Sequence, residues 1–351
     1  MRFRNVTVLW AAVCLAGAPL LCQQSERSEL RGSDRPAAAR FTTAVRGPML
    51  GFRYENGRGL QPVVGIPGSA RLGPAILAAG RLEDAAVSPA CCFAIGVAGE
   101  QRRLLLIRNS AGEGAASEVA GVPSGVSRVV LSPSGRSALV YYRDTQRVVA
   151  LRGLPDAPAV AWRKTLAGLT GPLEALAISD DAFVGLASHP QGLLRISAAE
   201  GWRRLGPLAG PVSISFSPHG HDAAIAERQA NRVSLVRNVL TGGGIVPIAD
   251  SRSGISLPVA VAITADGARL VVANADPPGV TEVRLSDRMV TTVPARWAPR
   301  TLDRLAGNAV FLLGRSPGGP LALYDGDSPR RRIALVAGPR ADRTAVEGGE
   351  Q

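Results

Sequence analysis

The sequence predicts an all-β fold, a β-propeller of seven four-stranded blades, on three observations. A strand–turn–strand unit recurs along the chain. Its copies fall about 43 residues apart, the period of a propeller blade. No segment after the N-terminal leader shows the 3.6-residue apolar period of an amphipathic helix three turns long.

The unit is clearest from Ile263 to Asn274 (ITADGARLVVAN). Second and third copies run from Leu131 to Val140 (LSPSGRSALV) and from Phe216 to Ile225 (FSPHGHDAAI). Weaker ones begin at Val87 (VSPACCFAIGV) and Ile178 (ISDDAFVGLA). In each, an apolar strand ends in Ser-Pro, Thr-Ala or a similar pair, and a glycine or small residue follows before the next apolar run. Proline presets φ early in such a turn, and glycine takes the conformation that other side chains resist. The flanking apolar runs then pair as an antiparallel hairpin.

Aligned on the turn residue, the anchors are Gly47, Cys91, Gly135, Ala182, Gly220, Gly267 and Gly307. They give seven copies, with six or eight as the neighbouring counts. Within a unit the later strands are also readable. After Gly135 they are Ala138 to Tyr142, Arg147 to Leu151 and Ala159 to Trp162; after Gly267 they are Leu270 to Ala273, Val280 to Leu285 and Met289 to Val293. The first unit begins with an inner strand at Phe41 to Val45, followed by Pro48 to Tyr54 and Gly59 to Ile66. The last ends at Arg331 to Val336, so these two terminal strands are expected near one seam where the ring closes and sheet edges are removed.

Ahead of the repeats, Arg2 and Arg4 precede an uncharged apolar stretch from Val6 to Leu21, and a polar run begins at Gln23. That order reads as a secretory signal peptide, too short for a membrane-spanning helix. The expected organisation is therefore a leader at 1–22, a disordered linker at 23–39, the propeller at 40–337 and a disordered tail at 338–351. The product is expected in the periplasm or outside the cell, as a monomeric propeller. Cys22 offers a lipid tether, although Leu20 and Leu21 stand where a lipidation signal prefers small residues. The adjacent pair Cys91 and Cys92 excludes a disulfide framework.

The formal net charge is +12, and Lys164 is the only lysine. The arginines are scattered, with the densest cluster at Arg330, Arg331 and Arg332, so they read as composition rather than as a binding surface. Simple attraction to anionic envelope polymers fits that charge. Nucleic acid does not fit, because the basic residues are not interleaved with aromatic stacking platforms.

Chemistry-bearing residues are few. His219, His221 and Asp222 are the candidate metal ligands, but they sit on a repeat turn where other copies carry polar filler, and no further ligand is local. Asp180, Asp181 and Asp266 recur at the equivalent turn and read as turn-ordering carboxylates. Gly242-Gly243-Gly244 reads as a flexible link. Trp162, Trp202 and Trp297 fall near outer strands and read as blade packing. The sequence carries no Gly-x-Ser-x-Gly elbow and no HExxH motif, so neither a catalytic residue nor a cofactor is assigned.

Ile263 to Asn274 closely resembles the repeat of YVTN-type β-propellers, and the other copies are similar to looser WD40-like repeats. The resemblance spans roughly residues 40 to 337; the Gly-His and Trp-Asp signatures of true WD40 blades are absent. It implies a rigid ring whose loops and channel present ligands. The expected function is a non-catalytic extracytoplasmic module that binds or scaffolds a protein or envelope polymer. The alternative implied by the same family is a lactonase-like or other propeller hydrolase or oxidoreductase acting at the channel mouth. Acids or histidines converging on the channel from different blades would favour that alternative.

Overall fold

The computed structural model describes residues 48–56, 58–76, 82–89, 93–110, 113–314 and 321–338. The expected leader, the linker, Cys22, Cys91, Cys92, the strand at Phe41 to Val45 and nearly all of the tail lie outside them. The described chain forms a seven-bladed β-propeller.

The first blade holds β1 (Met49–Glu55), β2 (Gly59–Val64) and β3 (Arg71–Leu72). The second holds β4 (Leu82–Val87), β5 (Phe93–Ala98), β6 (Arg103–Ser110) and β7 (Glu113–Glu118). The third is β8 (Arg128–Leu131), β9 (Ser137–Tyr142), β10 (Arg147–Arg152) and β11 (Ala159–Thr165). The fourth is β12 (Leu176–Ile178), β13 (Val184–His189), β14 (Gly192–Ser197) and β15 (Gly201–Gly206). The fifth is β16 (Pro211–Phe216), β17 (Ala223–Glu227), β18 (Arg232–Val236) and β19 (Ile245–Ala249). The sixth is β20 (Pro258–Ile263), β21 (Arg269–Ala275), β22 (Pro278–Arg284) and β23 (Val290–Pro294). The seventh is β24 (Thr301–Arg304), β25 (Val310–Gly314), β26 (Leu321–Asp325) and β27 (Arg332–Val336). Every pairing within a blade is antiparallel between neighbours in sequence, so each blade is a meander, and in the second to seventh blades the first strand faces the axis.

The repeat turn joins the first strand of a blade to the second, and six hairpins close alike. Ser88, Ser132, Ser179, Ser217, Thr264 and Leu305 each donate their amide to the carbonyl five residues on. In the sixth blade the Thr264 hydroxyl donates to Asp266 at 2.6 Å, and the same carboxylate accepts the Ala268 amide at 2.9 Å, leaving Gly267 at φ 71°. Ser179 and Asp181 repeat that lattice in the fourth blade, where Ala182 takes φ 62° in place of glycine. The fifth blade differs from the alignment on Gly220, since His219 is the residue in the left-handed region.

Strand burial explains the apolar runs in the sequence. The second and third strands of a blade lie between two neighbouring blades, so both faces are covered and alternation gives way to continuous apolar segments. All six residues of β9 and of β13 are buried, whereas the outer strand β23 is mostly exposed. Tyr141 and Val148 of the third blade, for example, pack with Leu176, Ala187 and Leu194 of the fourth. Each such side chain contributes about 1.5–3 kcal/mol on burial.

In the first blade, β1 runs opposite to the inner strands of the other blades. Its start, Leu50, accepts the amide of Ala306 at the repeat-turn face, and near its end the Tyr54 hydroxyl donates to Leu82 at the start of β4. β1 is therefore a second strand, as the reading of Pro48 to Tyr54 predicts. The seam with the seventh blade is apolar: Leu50, Val63, Ala70 and Leu72 pack on Leu305, Leu312, Leu323 and Val336. Leu72 and Ala337 add backbone bonds across it, Leu72 donating to Ala337 and Ala337 to Ala70.

Two expectations about individual residues resolve differently. Gly242-Gly243-Gly244 links β18 to β19 as expected, but the amides of its first two glycines are hydrogen-bonded, Gly242 to Val239 and Gly243 to Asn238. A 3-10 turn over Val239–Thr241 precedes it, Val239 is fully buried, and Gly243 lies directly against the Arg237 carbonyl. The tryptophans do pack blades together: Trp162 donates to the Ala182 carbonyl at 2.6 Å and Trp202 to Ala167 at 3.1 Å, while Trp297 joins the cluster between the sixth and seventh blades.

Candidate functional site

The inner strands β4, β8, β12, β16, β20 and β24, with Tyr54 from β1, surround a central channel of about 490 Å³. Two carboxylates from different blades line it, Asp84 on β4 and Asp303 on β24, together with the guanidinium-bearing residues Arg128 and Arg304. Asp84 accepts the Val129 amide at 3.0 Å and so ties the second blade to the third. The Ser213 hydroxyl accepts the Val261 amide at 3.2 Å and does the same between the fifth and sixth.

Asp303 differs from Asp84 in its surroundings. It is open to channel water but ringed by the protein of the channel wall. That enclosure pushes its carboxyl above the usual carboxylate range, outweighing a 2.9 Å hydrogen bond from the Thr301 hydroxyl and the opposing charge of Arg53. Arg304, the next residue, donates to the Ile263 carbonyl and lies over the Phe311 ring, 5.8 Å from its centroid. Its Nε is buried with no hydrogen-bond partner among the described residues. Burial lowers the Arg304 guanidinium from its ordinary value, and Asp180 and Asp266 oppose that shift. An arginine stays protonated throughout. Arg128, on the opposite side of the ring, donates to the Glu174 carbonyl.

The metal candidates named by the sequence sit elsewhere, on the repeat-turn face. His221 Nε2 lies 2.7 Å from Asp181 Oδ2 in the fourth blade. The His219 amide donates to Asp180 Oδ2 at 3.2 Å. Asp222 accepts the Asn238 amide at 2.8 Å and pairs with Arg237 at 3.4 Å. The His221 and Asp222 side chains and the His219 amide thus hold turns and blades together. Among the described residues no three His, Cys, Asp or Glu side chains gather as metal ligands. His189 is a core residue, its Nε2 at 2.8 Å from the Thr170 carbonyl and its Nδ1 accepting the Gln191 amide at 3.1 Å.

The turn aspartates do what the repeat implies and more. Asp266 pairs with Asn308 of the seventh blade, whose side chain donates to it at 2.8 Å while accepting its amide at 2.8 Å. Asp180 accepts the Ser134 amide of the third blade at 2.7 Å as well as the His219 amide of the fifth. Sequence reasoning missed Asp84 and Asp303. The available signal was a carboxylate on a short inner strand, next to Glu83 in LEDAAV and next to Arg304 in TLDR.

No protein-family model matches the chain, and no curated protein matches it in sequence. Solved structures do match its fold. A protein from Lactobacillus plantarum shares 12% identity at a TM-score of 0.57, covering 82% of this chain and 96% of its own. A Bacteroides uniformis protein, provisionally assigned as a 6-phosphogluconolactonase, shares 15% identity at a TM-score of 0.57 over 82% and 97%. A Desulfotomaculum acetoxidans protein of unknown function shares 14% at 0.56 over 82% and 99%. The likeness is one of fold.

The expectation of a non-catalytic binding or scaffolding module is corrected. It rested on the lack of any catalytic constellation, and ring closure brings Asp84 and Asp303 to one channel from strands far apart in sequence. A counterpart of the same fold carries a provisional 6-phosphogluconolactonase assignment, not a scaffolding one.

Proposed function

We propose that the chain is a lactonase-like propeller hydrolase of the YVTN-like type, exported by its leader, whose reaction takes place in the central channel. Asp303 carries the reading: it is a water-accessible carboxyl on an inner strand, set in the same channel as Asp84 of another blade. A general acid–base group works best when its pKa approaches the working pH, and enclosure moves an aspartate in that direction.

The chemistry is ester hydrolysis within a ring. The ionised Asp303 takes a proton from water as the water oxygen bonds to the lactone carbonyl carbon. The tetrahedral oxyanion is stabilised by the positive charge that lines the channel. The bond from that carbon to the ring oxygen then breaks, and the protonated Asp303 returns its proton to the departing alkoxide. The product is an open hydroxy acid, and the carboxylate is regenerated. The assignment of the Bacteroides uniformis counterpart supports sugar lactones as the substrate class.

The test is acid release, followed by pH-stat, from glucono-δ-lactone and 6-phosphoglucono-δ-lactone. Turnover above the buffer rate, reduced about 10²-fold or more in Asp303→Asn with an unchanged circular-dichroism spectrum, is the expected result. A folded protein that turns over neither lactone, or an Asp303→Asn variant as active as the parent, overturns the proposal.

A further inference from the structure

The fold gathers arginines that look scattered in the sequence. On the repeat-turn face, between the fifth and sixth blades, a groove of about 690 Å³ is lined by Arg237, Arg269, Arg284 and Arg331, against the two carboxylates Asp222 and Asp266. Arg237 follows β18, Arg269 opens β21, Arg284 closes β22 and Arg331 precedes β27, so three blades contribute. None of these six residues lines the central channel.

The arginines divide into a fixed pair and a loosely held pair. Glu282, only 2% exposed, accepts from Arg269 Nη1 at 2.9 Å and from Arg331 Nε. One buried carboxylate thus orients two guanidiniums, and among the described residues Arg331 hydrogen-bonds through Nε alone. Arg237 and Arg284 are at the rim. Their side chains are 64% and 46% exposed, and they pair only with the surface carboxylates Asp222 at 3.4 Å and Asp287 at 2.9 Å. Exposed pairs of this kind contribute little, so an incoming anion displaces them readily. Asp266 keeps its negative charge in the groove, but Thr264, Ala268 and Asn308 hold its oxygens in place.

We propose that this groove is a binding site for a small ligand bearing a phosphate group. Arg331, oriented at the base through its Nε alone, and the two weakly held guanidiniums at the rim match the several acceptor oxygens of a phosphate, which arginine engages bidentately, while Arg269 is taken up by Glu282, the Gly326 carbonyl at 3.0 Å and Asp327 at 3.5 Å. The site is independent of the channel reaction.

The test is titration calorimetry with sodium pyrophosphate at low ionic strength. The parent is compared with an Arg237→Gln/Arg284→Gln double variant, and with a charge-matched control, Arg103→Gln/Arg152→Gln, on other blades. Saturable one-to-one binding, weakened at least tenfold in the groove variant and unchanged in the control, is expected. Absence of saturable binding to the folded parent overturns the proposal. So does equal weakening in the control, which signals diffuse attraction to a basic protein. Calorimetry reads binding without turnover, so failure here leaves the channel proposal standing, and a failed lactone assay leaves this one.

Discussion

Asp180 Oδ1 accepts the backbone amide of Ser134 at 2.7 Å, so a carboxylate of the fourth blade holds the turn of the third. Its second oxygen holds the turn of the fifth through the His219 amide. Burial raises the Asp180 carboxyl, but hydrogen bonds from Ser134, Ser132 and the His219 amide outweigh it and leave the pKa below the ordinary value. A depressed folded-state pKa contributes stability that is complete above the unfolded value of about 3.9 and is lost as pH falls through the folded value. Asp180→Ala is expected to lose about 1–3 kcal/mol at neutral pH, the cost of leaving amides unpaired. In urea titrations the gap to the parent should narrow as pH drops below about 4; a gap independent of pH would refute the charged clasp.

Asp303 has the opposite sign. Its pKa is raised, so ionising it costs stability as pH rises above the unfolded value of about 3.9. Asp303→Asn is expected to be more stable than the parent at neutral pH and equal to it in acid, while losing hydrolysis. The lactone rate of the parent should climb with pH through a midpoint above that of an ordinary aspartate, because the base must be ionised. Denaturant midpoints at several pH values and a pH–rate profile check both halves of this expectation.

At the seam, Leu323 of β26 is fully buried among residues of the first and seventh blades. Leu323→Ala is expected to cost about 2–5 kcal/mol, as a deleted core leucine does. Hydrogen exchange should show β1 to β3 and β24 to β27 losing protection together, ahead of the third and fourth blades. Uniform loss around the ring would argue against a separable seam.

The glycines after Thr241 give a paired test of packing. A Cβ on Gly243 would overlap the Arg237 carbonyl, whereas nothing lies within 4 Å of one on Gly244. Gly243→Ala is expected to destabilise by about 1–3 kcal/mol and Gly244→Ala by much less, read from thermal unfolding. Equal effects would restore the idea of a loose connector.

Strand positions were legible because burial between blades writes long apolar runs, and tight turns punctuate them. Ala138 to Tyr142 and Arg147 to Leu151 match β9 and β10 within one residue at each end. The left-handed position in the fifth blade was not legible: Gly220 is the residue that tolerates it, but His219 takes it and donates its backbone N–H to the Asp180 carboxylate. Asp84 and Asp303 could not be joined from sequence, since only the closed ring sets β4 and β24 around one channel. The arginine groove stayed hidden for the same reason. Arg237 and Arg331 lie far apart along the chain and meet because the fifth, sixth and seventh blades stand side by side.

Six of the seven blade junctions are crossed by the polypeptide itself; between β27 and β1 the described chain makes no covalent crossing, and leucine packing with the Ala337 bonds closes the circle. A tensile load on the two ends of the described ring would therefore part it at that junction before any other. The same arrangement makes the molecule a natural subject for circular permutation. A linker tying the tail to Pro48, with new ends cut into an exposed hairpin on the far side, would exchange a clasp for a peptide bond and move the weakest point half-way round.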